Sequence, residues 1–337
     1  MGLNITEILM VRPDYDQFTC NLCGNASGVS HDFHREGGAC SHCGSNMRYR
    51  ALMRALSQHL YDKPLPLSAF IPDKNFKVMG LSDASLYADK LATLYDYTNF
   101  FYHTEPFLDI CNIENMISGS YDLLITSDVF EHVPPPRHIA FVNSWHLLKP
   151  GGLLLLTVPY TLLPKTVEHF PSLHHFGFVN DGTDILLVNR REDQTIEVFD
   201  KLIWHGGEGS TLEMRVYSET DLIQIISAAG FKEIKIWNED FPENGILQSH
   251  QGGSFVITAT KDDNSAPIEI THNDPYRENI YPEDMCINHF LVHRPTRVSG
   301  TRAERAIELW NTNTPQHKTA LPVFTRIWLY IRRKLNG

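Results

Sequence analysis

Tyr121-Asp122-Leu123-Leu124-Ile125-Thr126-Ser127-Asp128-Val129-Phe130-Glu131-His132-Val133 sets an apolar run against an abrupt polar stop, with a carboxylate and an imidazole directly beyond it. A run this short and unbroken suits a strand covered on both faces better than an amphipathic helix. Downstream, a helix predicted over 137–148 is closed by Lys149-Pro150-Gly151-Gly152, and Leu153-Leu154-Leu155-Leu156-Thr157-Val158-Pro159 is a second buried strand. Strand, helix and strand in this order make a parallel βαβ unit, whose ligands gather at the carboxyl ends of the strands. Ser127, Asp128 and Val129 stand at such an end.

The same alternation extends both ways. Upstream, 76–80 reads as a strand, 84–94 as a helix, 92–98 as the lead through a second strand, and 107–110 as a third. Downstream, a helix over 218–229 is stopped by Gly230, and strands follow at 234–237 and 254–260. The fold class is therefore α/β, with a Rossmann-like doubly wound sheet. Residues 160–216 interrupt it as an irregular insertion with a hairpin at 185–189 and 196–199, placed where such insertions form a lid over the substrate.

The amino-terminal segment follows a different logic. Cys20-x2-Cys23 and Cys40-x2-Cys43, sixteen residues apart and each pair followed by glycine, have the spacing of a four-thiolate zinc site. Without a secretory leader, two disulfides are the weaker reading. A closed four-sulfur site is structural, and it supplies folding energy to a segment too short to build a core. The helix that follows sets Met53, Leu56 and Leu60 on one face and Arg48, Arg50 and Arg54 elsewhere, which reads as a solvated basic face. The chain thus divides into a ribbon with its linking helix (1–60), the α/β domain (61–262) and an extension (263–337).

The Tyr121–Val133 stretch, Leu147-Leu148-Lys149-Pro150-Gly151-Gly152 and the apolar strand ending in Pro159 together resemble class I S-adenosylmethionine-dependent methyltransferases, over about residues 70–260. The ribbon, Asn99, Glu105-Pro106, Leu108-Asp109-Ile110, His205-Gly206-Gly207 and Leu212-Glu213-Met214-Arg215 are similar to a ribbon-bearing branch associated with bacterial glycan biosynthesis. The resemblance implies S-adenosylmethionine as cofactor. It implies Gly80 for close approach, and Ser82 and Asp83 for the cofactor's amino and carboxyl groups, although the usual three-glycine loop is reduced to Gly80-Leu81-Ser82-Asp83. It assigns Asp96 to the ribose, Asp109 and Ile110 to the adenine, and Ser127, Asp128 and Val129 to the methionine end.

Asp128-x-x-Glu131-His132 is also similar to the stretch by which small-RNA 2′-O-methyltransferases and ubiquinone-pathway O-methyltransferases hold a divalent cation, with His169 or His174 available as a further ligand. Mg²⁺ or Mn²⁺ there would acidify an acceptor hydroxyl. The metal-free alternative makes His132, His169 or His174 the general base, because imidazole titrates near working pH. The catalytic candidates are accordingly Glu131, His132, His169 and His174. His205, in a glycine-rich loop, is placed over an acceptor or in a simple wide turn.

Composition bounds the partners. Across 337 residues, Lys+Arg 29 against Asp+Glu 40 gives a net charge of -11, which disfavours strong nucleic-acid binding. No apolar run is long enough to span a bilayer, so a cytoplasmic protein is expected. The segment Val323–Leu335, apolar every fourth residue with a basic end, suits peripheral contact with a membrane or a glycosyltransferase. The reading that follows is an O-methyltransferase acting on a saccharide or glycan hydroxyl. The alternatives are an RNA methyltransferase gripping its substrate through the ribbon, and an inactive binding protein that kept the fold.

Overall fold

The computed structural model describes residues 17–29, 34–205, 211–250, 253–262, 264–267 and 295–313. Two short antiparallel strands of the ribbon come first, β1 (Gln17–Thr19) and β2 (Ala26–Gly28), followed by helix α1 (Met47–Tyr61). Then come β3 (Asp73–Leu81), α2 (Ser85–Leu94), β4 (Tyr95–Phe100), β5 (Tyr121–Ser127), α3 (Ile139–Leu147) and β6 (Leu148–Thr157). Beyond the insertion, α4 (Glu219–Ala228) leads to strands Phe231–Trp237 and Val256–Lys261.

Six of these strands form one sheet in the order Phe231–Trp237, Val256–Lys261, β6, β5, β3, β4. β3, β4, β5 and β6 run parallel, and Val256–Lys261 is antiparallel to both of its neighbours. This is the Rossmann-like sheet the sequence predicts. The uninterrupted leucines of β5 and β6 serve both faces by the two-residue period of a strand. Leu123, Ile125, Leu153 and Leu155 pack toward α1 and α2, while Leu124, Leu154 and Leu156 pack toward α3 and α4. Helix ends are set by local chemistry: Asn46 accepts from the Tyr49 amide to start α1, and Ser218 accepts from the Asp221 amide to start α4.

One expected strand is absent. Over 107–110 the chain makes only isolated pairings, Phe101 with Phe107 and Asp109 with Asn112. The backbone groups that would extend the sheet are used locally: the Phe101 amide donates to the Pro106 carbonyl (2.9 Å), and the Leu108 amide to the Phe101 carbonyl (3.0 Å). The segment folds back over the end of β4 and so brings Asp109 to the site.

The insertion contains more than a hairpin. Ile185–Arg190 pairs with Ile196–Asp200 as predicted, and also with His175–Asn180, while Thr296–Arg297 adds a fourth strand. Helix α5 (Thr301–Asn313) packs on this sheet through Ala306 and Trp310. Arg302 ties it down by bonding Asp181 (2.7 Å), Asp184 (2.6 Å) and Asp200 (2.9 Å). Residues 295–313 thus lie against the insertion. The predicted helix at 323–335 falls outside the described residues, among which no helix is long and apolar enough to cross a membrane.

Candidate functional site

At the carboxyl edge of the sheet the ends of β3, β4 and β5 leave a cavity of about 210 Å³. Its apolar walls include Phe100, Tyr102, Leu108 and Ile110, and Asp109 stands among them. Asp109 accepts from the Cys111 amide (2.9 Å), and burial raises its pKa. Asp128, Val129, His132 and His205 line it as well. Ser82, Asp109, Ile110, Asp128 and Val129 therefore line one cavity, and Ser127 directly precedes Asp128 in the chain.

Three cofactor candidates do not. A Cβ at Gly80 would collide with the Tyr97 hydroxyl and the Asp83 carboxyl, so this glycine serves close packing beneath the loop. Asp83 is buried there, accepting from Tyr87 Oη and Tyr97 Oη (both 2.8 Å), and burial pushes its pKa up to about 7. Its backbone is locked to Asn99, which donates to the Asp83 carbonyl and accepts from the Asp83 amide (both 2.9 Å). The loop turns without its usual glycines because Ser82 adopts φ 56° and its amide bonds the Phe100 carbonyl (2.8 Å). Asp96 is exposed near the start of β4, opposite Lys77, whereas Phe100 lies opposite Leu81 at the cavity. Because β4 ends later than its sequence suggests, the carboxylate is at the wrong end of the strand for a cofactor ribose.

The ribbon forms one side of the site. Arg35 grips Asp128 with both guanidinium nitrogens (3.0 and 2.7 Å), and Arg48 lies 3.4 Å from the same carboxylate while donating to Ser127 Oγ. Burial raises the Asp128 pKa, but the two guanidinium groups outweigh it and hold the carboxyl below its ordinary range. The predicted solvated arginine face is thereby corrected. Arg50 is fully buried, bonding the Ser45 and Gly245 carbonyls, and Arg54 bonds Glu243 and Asn244 (both 3.0 Å). These guanidinium groups are held by internal acceptors.

The other side is built by Glu131 and His132 together with strands from the insertion. His132 Nδ1 meets the Leu212 carbonyl (2.9 Å), which directs Nε2 toward Glu131 Oε1 at 3.5 Å. His205 packs edge-on against His132, with Nδ1 3.8 Å from the same Glu131 oxygen. Glu213 accepts from His205 Nε2 (3.0 Å) and His169 Nε2 (2.7 Å). Burial raises the Glu213 pKa, yet these two hydrogen bonds prevail and hold it at about 2. Burial pushes His132 down to about 4, leaving it neutral at working pH. Glu131 is fully buried with no hydrogen bond to either carboxyl oxygen among the described residues, and burial with Asp128 nearby pushes its pKa well up.

The turn bearing Glu131 and His132 is clamped from behind. Buried Arg215 donates to the Val133 and Phe130 carbonyls and to Glu168 (2.9 and 3.1 Å), and Arg137 also reaches Glu168 (3.3 Å). The other histidine candidates are thereby reassigned. His169 is a buried partner of Glu213 rather than a base at the cavity. His174 is half exposed on the insertion, 3.8 Å from Glu192, and outside the site. Sequence reasoning missed Arg35, Tyr102 and Glu213. For Glu213 a signal existed, an acid and a base alternating with apolar residues in Leu212-Glu213-Met214-Arg215, but Arg35 had none.

Two groups of metal-ligating side chains stand out among the described residues. In the ribbon, Cys20 and Cys43 Sγ are 3.7 Å apart and Cys23 and Cys40 Sγ 3.8 Å, close to the roughly 3.8 Å edge of a tetrahedron with Zn–S bonds of about 2.3 Å. All four cysteines are free thiols, as a zinc site requires. The second group is Glu131, His132 and His205, whose ligand atoms lie within 4.8 Å of one another. Asp128, engaged by two arginines, and His169 and His174 are not in it.

No family model and no curated protein matches the chain. Among solved structures it is similar to the CurJ carbon methyltransferase (12% identity, TM-score 0.36, covering 59% of this chain and 51% of that one). It is also similar to the Burkholderia thailandensis 1,6-didemethyltoxoflavin-N1-methyltransferase with bound S-adenosylhomocysteine (15%, 0.33, covering 63% and 79%). A third is an S-adenosylmethionine-dependent methyltransferase from Mesorhizobium loti (13%, 0.31, covering 58% and 95%). The chain thus spans about half of the first of these proteins and most of the other two.

Proposed function

We propose that this protein is an S-adenosylmethionine-dependent O-methyltransferase whose acceptor is a saccharide or glycan hydroxyl. The observation that carries the reading is the cavity at the carboxyl ends of β3, β4 and β5, lined both by Asp109 among apolar and aromatic side chains and by the His132–His205 pair. The first region suits an adenine: rings and aliphatic side chains to stack on, and a carboxylate to accept from its amine. The second suits an acceptor. As the hydroxyl oxygen attacks the sulfonium methyl in line, an O–C bond forms and the S–C bond breaks. The hydroxyl proton passes to His132 Nε2, and the departing electron pair leaves S-adenosylhomocysteine as a neutral thioether. The Leu212 carbonyl at Nδ1 fixes the receptive tautomer, and the nearby Glu213 carboxylate, kept ionised by His169 and His205, stabilises the cation that forms.

Glu131, His132 and His205 also suit a divalent cation, since Glu131 is buried with unanswered oxygens and each imidazole has its other ring nitrogen oriented by a carbonyl or carboxylate. A donor set of two nitrogens and one oxygen favours Mn²⁺ over Mg²⁺. When bound, such an ion supplies Lewis acidity that lowers the pKa of the acceptor hydroxyl. In the ribbon, Cys20, Cys23, Cys40 and Cys43 suit structural zinc.

Calorimetric titration with S-adenosylhomocysteine, followed by transfer of labelled methyl groups from S-adenosylmethionine to a saccharide panel, tests the reading. Micromolar binding and label in a base-stable ether are expected. Absence of binding at millimolar ligand would overturn the cofactor assignment, and label confined to RNA or to nitrogen would overturn the acceptor class.

A further inference from the structure

We propose that Arg35 and Arg48, both carried by the cysteine ribbon and its helix, are positioning residues that hold Asp128 and set the charge at the amino-acid end of the cofactor pocket. The inference rests on the cofactor reading above. Asp128 lines the cavity in a left-handed backbone conformation (φ 58°), and its carboxylate also accepts from Thr157 Oγ1 (3.1 Å). A short polar side chain tolerates that conformation, but it needs contacts to fix its direction. Besides Thr157, those contacts come from Arg35, 93 residues earlier in the chain, and from Arg48.

The geometry links the pair to the cysteine knuckles. The Arg48 amide donates to the Arg35 carbonyl (2.9 Å) and the Met47 amide to the Gly37 carbonyl (3.1 Å), so the loop between the knuckles is sewn to the first turn of α1. Glu36 joins the two, accepting from Arg48 Nε (2.5 Å) and Nη2 (3.0 Å) and from Asn46 Nδ2 (2.6 Å). The Cys40 amide donates to the Ser45 carbonyl (2.9 Å), one residue before Asn46, the N-cap of α1. A continuous set of contacts therefore runs from the metal-ligating cysteines to the cavity wall.

Charge gives this arrangement its meaning. Arg35 and Arg48 balance Asp128 and Glu36, and the guanidinium side chains are mostly shielded from solvent (17% and 11% exposed). The methionine end of the cofactor is a zwitterion, so a balanced wall suits it. Without Arg35 that wall would keep only Arg48 against two carboxylates and would present one uncompensated negative charge to the cofactor's own carboxylate, at short range and in poor screening. A nucleoside without the amino-acid portion would not be affected.

The test compares two ligands on the full-length, zinc-loaded protein: S-adenosylhomocysteine and 5′-methylthioadenosine, which lacks the amino and carboxyl groups. Arg35→Met is expected to weaken the first at least about tenfold, the scale of one lost charged hydrogen bond, while the second stays within about twofold. Arg35→Lys, which keeps charge but loses the two-pronged grip, is expected to fall between, and it carries the test alone if Arg35→Met does not fold. Equal loss of both ligands would reduce the arginine to a structural tie and overturn the proposal, as would unchanged affinity for both. Failure of the wild-type protein to bind either ligand would instead remove the cofactor reading on which the proposal stands.

Discussion

The two sides of the cavity are built from charged groups in opposite ways. On the ribbon side each charge meets an opposite charge: Arg35 and Arg48 close on Asp128 and Glu36 with short bonds. On the insertion side Glu131 is completely buried with no hydrogen bond to its carboxyl among the described residues, and His132 is held neutral beside it. Satisfied ion pairs fix geometry, but they are committed to their partners and have little left to offer a reaction. A buried acid and a neutral imidazole are costly for stability, and they retain the capacity to accept a proton or a cation. The first side therefore reads as positioning and the second as chemistry.

His132→Ala is the largest expected break of this contrast. It should lower methyl transfer roughly 10²- to 10⁴-fold, the usual scale for a general base, while leaving S-adenosylhomocysteine affinity nearly unchanged in calorimetry. Parallel loss of affinity would place His132 with the positioning groups instead. Glu131→Gln complements it, because removing an unsatisfied buried acid should cost activity yet leave the melting temperature at or above wild type. A large drop in melting temperature would show that the carboxyl is a structural partner after all.

Arg215→Met comes next. The guanidinium is fully buried between Glu168 and the carbonyls of the Glu131–His132 turn, so its loss strands Glu168 and frees the turn. Breaking a buried pair of this kind costs about 3–5 kcal/mol, which urea unfolding would read. A loss below about 1 kcal/mol would mean that Arg137 alone satisfies Glu168.

Asp83→Asn sharpens the account of the cofactor loop. Burial raises the Asp83 pKa from 3.8 to about 7, so the folded protein holds this proton more tightly than the unfolded chain. Its contribution to stability is fully present below about pH 3.8 and is lost as pH rises through about 7. The variant should therefore melt with a flatter pH dependence between these limits. An unchanged slope would show that the Tyr87 and Tyr97 hydrogen bonds stabilise the carboxylate as much as burial penalises it.

Legibility in the sequence followed the range of the interactions. β5 and β6 were readable because a doubly buried strand writes itself as an apolar run, and the cysteines were readable because one metal ion imposes its spacing. Asp128 and Glu131-His132 were visible as an abrupt polar stop after such a run. What pairs with them was not, since Arg35 arrives from the ribbon and His205 and Glu213 from or directly beside one antiparallel strand pair of the insertion, and both approaches depend on tertiary packing. Asp96 is away from the cavity for a local reason: β4 ends at Phe100, four residues beyond Asp96, and it is Phe100 that reaches the cavity. The strand predicted at 107–110 failed because its backbone hydrogen bonds are used within the loop.

His174 supplies the smallest effect and the sharpest limit on the histidine side. Its ring lies 3.8 Å from Glu192, with both side chains about half exposed or more, and pairs of this kind contribute at most about 1 kcal/mol. His169, by contrast, is buried on Glu213, which also holds His205 beside the cavity. His174→Ala should therefore leave methyl transfer within about twofold of wild type and the melting temperature nearly unmoved, whereas His169→Ala should reduce transfer through the loss of Glu213 as an anchor. If His174→Ala instead reduced the rate tenfold, the insertion would have to reach the cavity by a movement that brings this face inward, and the chemistry would no longer belong to Glu131, His132 and His205 alone.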